Sequence, residues 1–305
     1  MRIPFLSKLK TLYWLLTRHH APWTRMRLYL NFRAENARWL STTCWDDRVR
    51  NALAAPDNAR IPRVPEAGRI QDGVLTLHNG IRVGDLSYDG EGPRRLMAEN
   101  RGVHEPQEEY VFQEVLKLLP AGSQMLELGS YWAFYSIWFY AAVKDARCLC
   151  VEPDPGNLEM GRGNFLLNHG DIPASVVFER AYAGAGDGVG EDGTPVACVD
   201  SLMKRHGIPR LAILHADTQG HEMNVLRGAE KALRAGTIDY IFLSTHSNLL
   251  HRQCLALLKQ HGFRILADAD LLETYSFDGL SVARRAGLEG PATFPITRRG
   301  DGSHG

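Results

Sequence analysis

The sequence predicts an α/β fold in which a mostly parallel sheet, ending in an antiparallel strand, follows an N-terminal helical segment and a small β-hairpin. From residue 104 onward, apolar strand-like runs alternate with stretches of helical periodicity, as in βαβ units. The last two strand-like runs, 263–267 and 280–284, have no helix between them, so the final strand must reverse direction. A chain of 305 residues that is 44% apolar and 23% charged is typical of a globular protein.

The first 40 residues form a basic leader. They hold eight Lys or Arg and one acidic residue, whereas the whole chain has 35 of each sign. Apolar residues at three- and four-residue spacing between positions 5 and 16 predict a basic amphipathic helix. We expect this helix either to pack on the protein's own body or a second subunit, or to lie peripherally on an anionic membrane. We therefore interpret residues 1–58 as a basic helical segment.

A small β element is predicted at 59–103. Two short alternating runs, 74–78 and 81–83, flank Asn79-Gly80. Asn-Gly accepts the positive φ values of a type I′ turn, so these runs predict a β-hairpin.

Residues 104–286 are predicted to form the main domain, and 287–305 a flexible tail. Gly184 to Gly193, with five glycines in ten residues, predicts a mobile surface loop. The predicted strands are 124–129, 146–152, one ending near 179, 211–217, 238–245, 263–267 and 280–284. The predicted helices are 108–119, 133–143, 158–167, 222–234 and 249–261.

Charge, cysteines and hydropathy exclude several classes of protein. A net charge of zero gives no bulk field to attract nucleic acid, so no nucleic-acid partner is expected. Five cysteines without a C-x-x-C pair predict free thiols rather than a disulfide framework or a zinc site. The most apolar stretch, 131–143, is shorter than the roughly 20 residues that span a bilayer. These features favour a cytoplasmic protein.

The candidate ligand site lies where the predicted strands end, because open parallel sheets bind ligands at the carboxyl ends of their strands. Gly129 follows the first strand of the domain, and Glu152 ends the second, 23 residues later. At that offset a carboxylate receives both hydroxyls of a ribose. Tyr131 stands where the dinucleotide fingerprint needs its second glycine, which disfavours a pyrophosphate and a nicotinamide cofactor. The spacing therefore favours a nucleoside ligand without a diphosphate.

Three segments resemble the FkbM-type S-adenosylmethionine-dependent methyltransferase family. They are E-x-G from Glu127, V-E-P-D-P at 151–155, and D-x-x-G-x-E-x-x-V-L-x-G from Asp217 to Gly228. The resemblance covers about 75–284 and implies a Rossmann-like class I methyltransferase sheet. It also implies O-methylation of a hydroxyl acceptor that is a small molecule, a glycan or glycolipid, or a secondary metabolite. One departure is Ala133, where the family usually has glycine.

The resemblance also implies which residues bind S-adenosyl-L-methionine. Glu152 would hold the ribose, and the other expected cofactor-binding residues border the methionine part or the nucleoside. These others are Glu127, Gly129, Ser130, Tyr131, Ser136, Asp154 and Asn157.

The acceptor's proton is expected to be removed by a group involving Asp217, His246 and His221. Asp217 and His246 end neighbouring strands and should lie close together. Histidine suits general-base work near neutral pH, with Asp217 as its orienting carboxylate. The alternative is that Asp217 and His246 bind a divalent metal ion with a third ligand from His221, Glu222 or water. The metal-free base is favoured, since no recognised spacing supplies the third ligand.

A rival hypothesis is a catalytically inactive Rossmann-like module that its basic helix recruits to a membrane or a partner. Tyr131, with its aromatic neighbour Trp132, and Ala133 favour that hypothesis. Glu127, Glu152, Asp217 and Glu222 occurring together favour an enzyme, although Glu222 in a helix's first turn is also expected to be structural. His215, which lies deeper on its strand, is predicted to be a core histidine.

Overall fold

The computed structural model describes residues 45–88 and 90–300. The amphipathic helix predicted between positions 5 and 16 lies outside these residues. Within the described part of the chain, no helix is long and apolar enough to cross a membrane.

The elements follow the predicted alternation from residue 104 onward. The strands are β1 Ile70–Gln71, β2 Val74–Thr76, β3 Arg82–Gly84, β4 Gln124–Leu128, β5 Arg147–Val151, β6 Val176–Glu179, β7 Tyr182–Ala183, β8 Gly188–Val189, β9 Pro195–Ala197, β10 Leu211–Ala216, β11 Ile238–Thr245, β12 Arg264–Ala269 and β13 Gly279–Arg284. The helices are α1 Trp45–Ala54, α2 Glu91–Glu99, α3 Pro106–Leu116, α4 Phe134–Ala142, α5 Pro155–His169, α6 Val199–Arg205, α7 Glu222–Gly228, α8 Glu230–Ala235 and α9 Asn248–Gln260, with a 3-10 helix at Pro56–Arg60.

The main sheet has seven strands in the order β12-β13-β11-β10-β4-β5-β6. The pairs β11–β10, β10–β4, β4–β5 and β5–β6 are parallel, and β13 is antiparallel to both of its neighbours. This confirms the predicted Rossmann-like sheet. The reversed strand is inserted between β12 and β11, so its first residue lies at the edge where the parallel strands end.

Helices cover both faces of the main sheet. Alternate residues of β10 contribute to different cores, since Ile213 packs in one cluster and Leu214 in the other. The first cluster contains Phe112 of α3 and Phe139 of α4, and the second contains Leu258 of α9. The strands are buried on both faces, which agrees with their almost continuously apolar sequences.

The predicted hairpin is present, but its turn differs from the expected type. β2 and β3 pair antiparallel, with Leu75 opposite Val83, and β1 adds a third strand. Gly80 has a φ of +87°, whereas Asn79 is not in the left-handed region that a type I′ turn requires. Gly80 N–H donates to Leu77 O over 3.0 Å, which closes a longer loop that ends on a left-handed glycine.

Two further predictions are corrected by contacts between distant segments. The sequence predicts a single helix at 222–234, but the structure has two, α7 and α8. The first ends at Gly228, which lies so close to the backbone of Gly184 that a Cβ on it would be 2.3 Å from Gly184 O. The glycine-rich segment predicted as a loop contains β8, which pairs with β9 beside β7 in a small sheet.

The segment after residue 287 packs against the domain instead of leaving it, as far as residue 300. Phe294 is buried, and its N–H donates to Leu266 O on the edge strand β12 over 2.7 Å. Thr297 N–H donates to the buried carboxylate of Asp57 over 2.9 Å. These contacts tie the segment to both ends of the described chain.

Candidate active site

A cavity of about 360 Å³ opens where β4, β5 and β10 end, and its size suits a small ligand. Predicted site residues form much of its wall: Gly129, Tyr131, Glu152, Asn157, Asp217 and His221. Two wall residues that were not predicted are Tyr182, on β7, and Thr218. Tyr182 follows β6 closely in sequence, and its strand β7 pairs with β9.

Gly129 makes a turn that no other residue can replace without displacing the backbone. Its φ is +74°, and a Cβ on it would lie 1.9 Å from the carbonyl oxygen of Asp217. The loops after β4 and β10 therefore touch, with Asp217 N–H donating to Leu128 O over 3.0 Å. This close approach sets the base of the cavity.

Ala133 and Tyr131 both occupy the left-handed region that favours glycine, with φ values of +61° and +46°. Such a conformation costs a non-glycine residue about 1–2 kcal/mol. Ala133 N–H donates to Ser130 O over 2.6 Å, and Ala133 O accepts from Ile137 N–H to begin α4. Alanine at this position thus keeps the turn that glycine would make, at the cost of strain.

Glu152 lies on the cavity wall with its carboxylate held by two backbone groups. One oxygen accepts from Tyr131 N–H over 3.1 Å and the other from Asp154 N–H over 3.0 Å. Burial is the main influence on the pKa of Glu152 and raises it above the ordinary value, although these hydrogen bonds oppose the shift. Oε2 keeps a lone pair, and Oε1 has only a long contact of 3.5 Å with the Asn157 amide as its second partner, so the carboxylate is placed to accept from the hydroxyls of a ligand.

Asp154 begins α5 and does not line the cavity. Its Oδ1 accepts from Gly156 N–H over 2.8 Å and from Asn157 N–H over 3.0 Å, which is the geometry of a helix N-cap. Asn157 does line the cavity, and its amide lies 3.5 Å from Glu152 Oε1. Of these two residues predicted to border a nucleoside, only Asn157 faces the space for one.

Glu127, Ser130 and Ser136 lie behind the cavity wall rather than on it. Glu127 Oε2 accepts from Ser136 N–H over 3.0 Å, and burial raises the pKa of Glu127 to about 7. The hydroxyl oxygens of Ser130 and Ser136 are buried and have no hydrogen-bond partner. A buried hydroxyl without a partner costs free energy, so this region fits the polar end of a ligand.

His246 lies among three carboxylates next to the cavity. Its Nδ1 is 3.0 Å from Glu222 Oε1, and its Nε2 is 3.3 Å from Asp217 Oδ1 and 3.5 Å from Asp278 Oδ1. Burial would lower the pKa of His246, but the charges of Asp278 and Glu222 and the contact with Asp217 raise it well above its ordinary value. The three carboxylates therefore favour the protonated form of the ring. The expected closeness of Asp217 and His246 is confirmed.

Glu222 ties His246 to the loop after β10. Its Oε1 also accepts from Thr218 N–H at 3.2 Å and from Gly220 N–H at 3.0 Å. Burial would raise the pKa of Glu222, but the charge of His246 outweighs this effect and lowers it. Glu222 thus has the structural role that the sequence suggested, in addition to orienting the imidazole.

The remaining histidines of this region are held differently. His215 is buried, and its Nε2 lies 2.8 Å from Glu108 Oε1, which confirms the predicted core histidine. His221 is on the cavity wall, with Nδ1 3.4 Å from the amide of Asn224.

Metal ligands do not assemble in the part of the chain that the structure describes. There, no group of three or more His, Cys, Asp or Glu side chains is arranged to hold a metal ion.

One known family has a sequence model that matches this domain. Residues 120–265 match the sequence model of the methyltransferase FkbM domain. A search of the curated proteins finds no match. Similar solved structures include precorrin-6y C5,15-methyltransferase from Geobacter metallireducens, at 12% identity, covering 58% of this chain and 89% of that one, with a TM-score of 0.40. TrmK from M. capricolum, in complex with S-adenosyl-homocysteine, has 12% identity, covers 59% and 71%, and has a TM-score of 0.40. The match covers slightly under half of the chain, and it makes residues 120–265 similar in sequence to the methyltransferase FkbM domain.

Proposed function

We propose that this protein transfers a methyl group from S-adenosyl-L-methionine to a hydroxyl of a glycan, a glycolipid or a secondary metabolite. The observation that carries the proposal is that one cavity is lined by Gly129, Glu152 and Asp217 together. Its wall thus combines a carboxylate suited to a ribose, a close turn, and a second carboxylate able to accept a proton.

The residues present fit the proposed cofactor. Glu152 would receive the ribose hydroxyls, and Asn157 would border the nucleoside. The buried hydroxyls of Ser130 and Ser136, with Glu127 beside them, lie behind the wall and would face the polar groups of the methionine part from there. When bound, S-adenosyl-L-methionine supplies a methyl group on a positively charged sulfur.

Asp217, rather than His246, is the better acceptor for the proton of the hydroxyl. The Asp217 side chain is 34% exposed and lines the cavity, whereas the His246 side chain is 8% exposed and lies behind it. Its neighbouring carboxylates raise the pKa of His246, so it is the poorer proton acceptor and would remain as a positive charge beside Asp217. This exchanges the roles that the sequence suggested for the two residues. His221, on the same wall, would contact the acceptor.

Glu152→Ala should weaken the binding of S-adenosylhomocysteine at least about tenfold, because charge-assisted hydrogen bonds to the ribose contribute about 1.5–3 kcal/mol. Calorimetric titration measures the change, and Glu152→Gln, which keeps the side chain's size, should give an intermediate affinity. The matched control is Glu159→Ala on the exposed side of α5, which should bind like the parent protein. Unchanged affinity in Glu152→Ala would remove Glu152 from the site.

The same titration separates the enzyme from the rival hypothesis. A folded parent protein that binds neither S-adenosylmethionine nor its product would favour the inactive module. Peripheral membrane association or self-association through the basic leader is compatible with either function and is a separate proposal.

A further inference from the structure

The antiparallel strand brings an unassigned carboxylate to the candidate active site. β13 pairs with β11 so that Gly279 lies opposite Thr245, the last residue of β11. The residue before β13, Asp278, therefore lies at the edge where β10 and β11 end, next to Asp217 and His246. The hydroxyl of Thr245 donates to Gly279 O over 3.2 Å, which anchors the backbone beside Asp278.

Asp217 and Asp278 compete for one nitrogen. Both carboxylates lie within 3.5 Å of His246 Nε2, while Glu222 occupies Nδ1. Neither carboxylate makes a well-aligned hydrogen bond to Nε2 in the structure, and an imidazolium has a single N–H there, which can point at only one of the two at a time. The Asp278 side chain is 14% exposed, compared with 34% for Asp217. Water therefore screens the charge of Asp278 less, which favours Asp278 as the counter-ion.

We propose that Asp278 is a positioning residue for the methyl transfer: it acts as the counter-ion of His246 and so leaves the Asp217 carboxylate able to take a proton from the acceptor. This inference rests on the proposed function. In the reaction an oxygen–methyl bond forms while the sulfur–methyl bond breaks, and the sulfonium leaves as a neutral thioether. The proton of the acceptor hydroxyl goes to Asp217, from which exposure to solvent allows it to depart.

The other groups around His246 do not replace Asp278 in this role. Glu222, from α7, is held by Thr218 and Gly220 and faces the opposite ring nitrogen. The thiol of Cys254, on α9, is near Glu222, and burial raises its pKa to about 12, so it is neutral. Burial likewise raises the pKa of Tyr88, near Asp217 and Asp278, above its usual range, so its hydroxyl is neutral as well.

The test is a pH titration of the His246 ring in the full-length protein, measured by NMR. Asp278→Asn should lower the pH midpoint of His246 by about 1 unit or more, because a lost neighbouring carboxylate disfavours the imidazolium. Asp278→Glu should restore most of the shift, and Asp217→Asn should lower the midpoint by less than Asp278→Asn does. The control is Asp268→Asn, which removes the carboxylate 2.6 Å from His251 Nε2 and should leave His246 unchanged.

Each outcome decides the proposal. An unchanged midpoint in Asp278→Asn, or a shift at least as large in Asp217→Asn, would overturn it. Titration of the same samples with S-adenosylhomocysteine tells this failure from that of the proposed function. If the parent protein binds S-adenosylhomocysteine and Asp278→Asn does not change the His246 midpoint, only the role of Asp278 is refuted. If the parent protein does not bind S-adenosylhomocysteine, the proposed function is refuted.

Discussion

Replacing Asp217 by asparagine should lower the rate of methyl transfer by about 10²–10⁴-fold, the usual contribution of a general base. The amide has the same shape but cannot take the acceptor's proton. Binding of S-adenosylhomocysteine should be nearly unchanged, because the substitution leaves the Gly129–Asp217 backbone contact in place. The rate is measured with S-adenosylmethionine and a surrogate sugar acceptor.

Two controls show whether Asp217 acts as a base. Asp171→Asn, at an exposed aspartate, should be as active as the parent. Dialysis against EDTA should leave turnover intact. Parent-like activity in Asp217→Asn would show that another group takes the proton. Activity that EDTA abolishes and Mg²⁺ or Mn²⁺ restores would make Asp217 and His246 metal ligands instead.

Glu109→Ala should lower the free energy of unfolding by about 3–5 kcal/mol, since it breaks a buried ion pair and leaves His104 with Glu105 as its remaining carboxylate partner. Glu109 is fully buried on α3, and its Oε1 lies 2.7 Å from His104 Nδ1 and accepts from the N–H of Glu105 over 2.8 Å. Its Oε2 lies 3.0 Å from His78 Nε2, in the hairpin loop. One carboxylate thus joins three segments of the chain. Urea denaturation measures the loss.

The effect of Glu109→Ala should depend on pH in a defined direction. Burial would lower the pKa of His104, but the charges of Glu109 and Glu105 raise it to about 10. Burial would raise the pKa of Glu109, but His104 outweighs it and holds that pKa below the ordinary value. The raised pKa of His104 stabilises the folded protein fully below pH 6.5, and this stabilisation is lost as the pH rises toward 10. The lowered pKa of Glu109 stabilises the folded protein fully above pH 4.5, and this stabilisation is lost in acid. The loss of unfolding free energy in Glu109→Ala should therefore be greatest between pH 4.5 and pH 6.5.

Glu114→Ala is the matched control on the same helix. Glu114 pairs with Lys117 near the surface, and such pairs contribute about 0–1 kcal/mol. A loss in Glu109→Ala no larger than in Glu114→Ala, or one that does not change between pH 5.5 and 10, would contradict the proposed role of the buried pair.

Much of the site was predictable because it depends on local sequence and strand order. Gly129, Glu152 and Asp217 each follow a strand whose period and length are evident, and parallel strands end at one edge. The closeness of Asp217 and His246 followed from the same rule. The contact that makes glycine necessary at position 129, with Asp217 O, was not evident from the sequence.

Asp278 was not among the predicted site residues. Those residues follow the carboxyl ends of parallel strands, whereas Asp278 precedes an antiparallel strand, which begins where its parallel neighbours end. The reversal of the last strand was predicted, so Asp278 could have been found from its position before Gly279. The exchange of roles that we propose for Asp217 and His246 could not be predicted, because it depends on the summed charge of carboxylates from separate segments.

The sequence by itself determined the order of helices and strands, the direction of the last strand, the family-like motifs and the position of the cavity at the sheet's edge. These follow from apolar periodicity and from residues that act within one turn or one strand. Only the tertiary structure decided which side chain faces the cavity, which histidine is charged, how Glu109 is paired and where residues 288–299 pack. Burial and charge depend on neighbours that the chain brings together from more than 20 residues away, as with Glu222 and His246, and no local pattern encodes them.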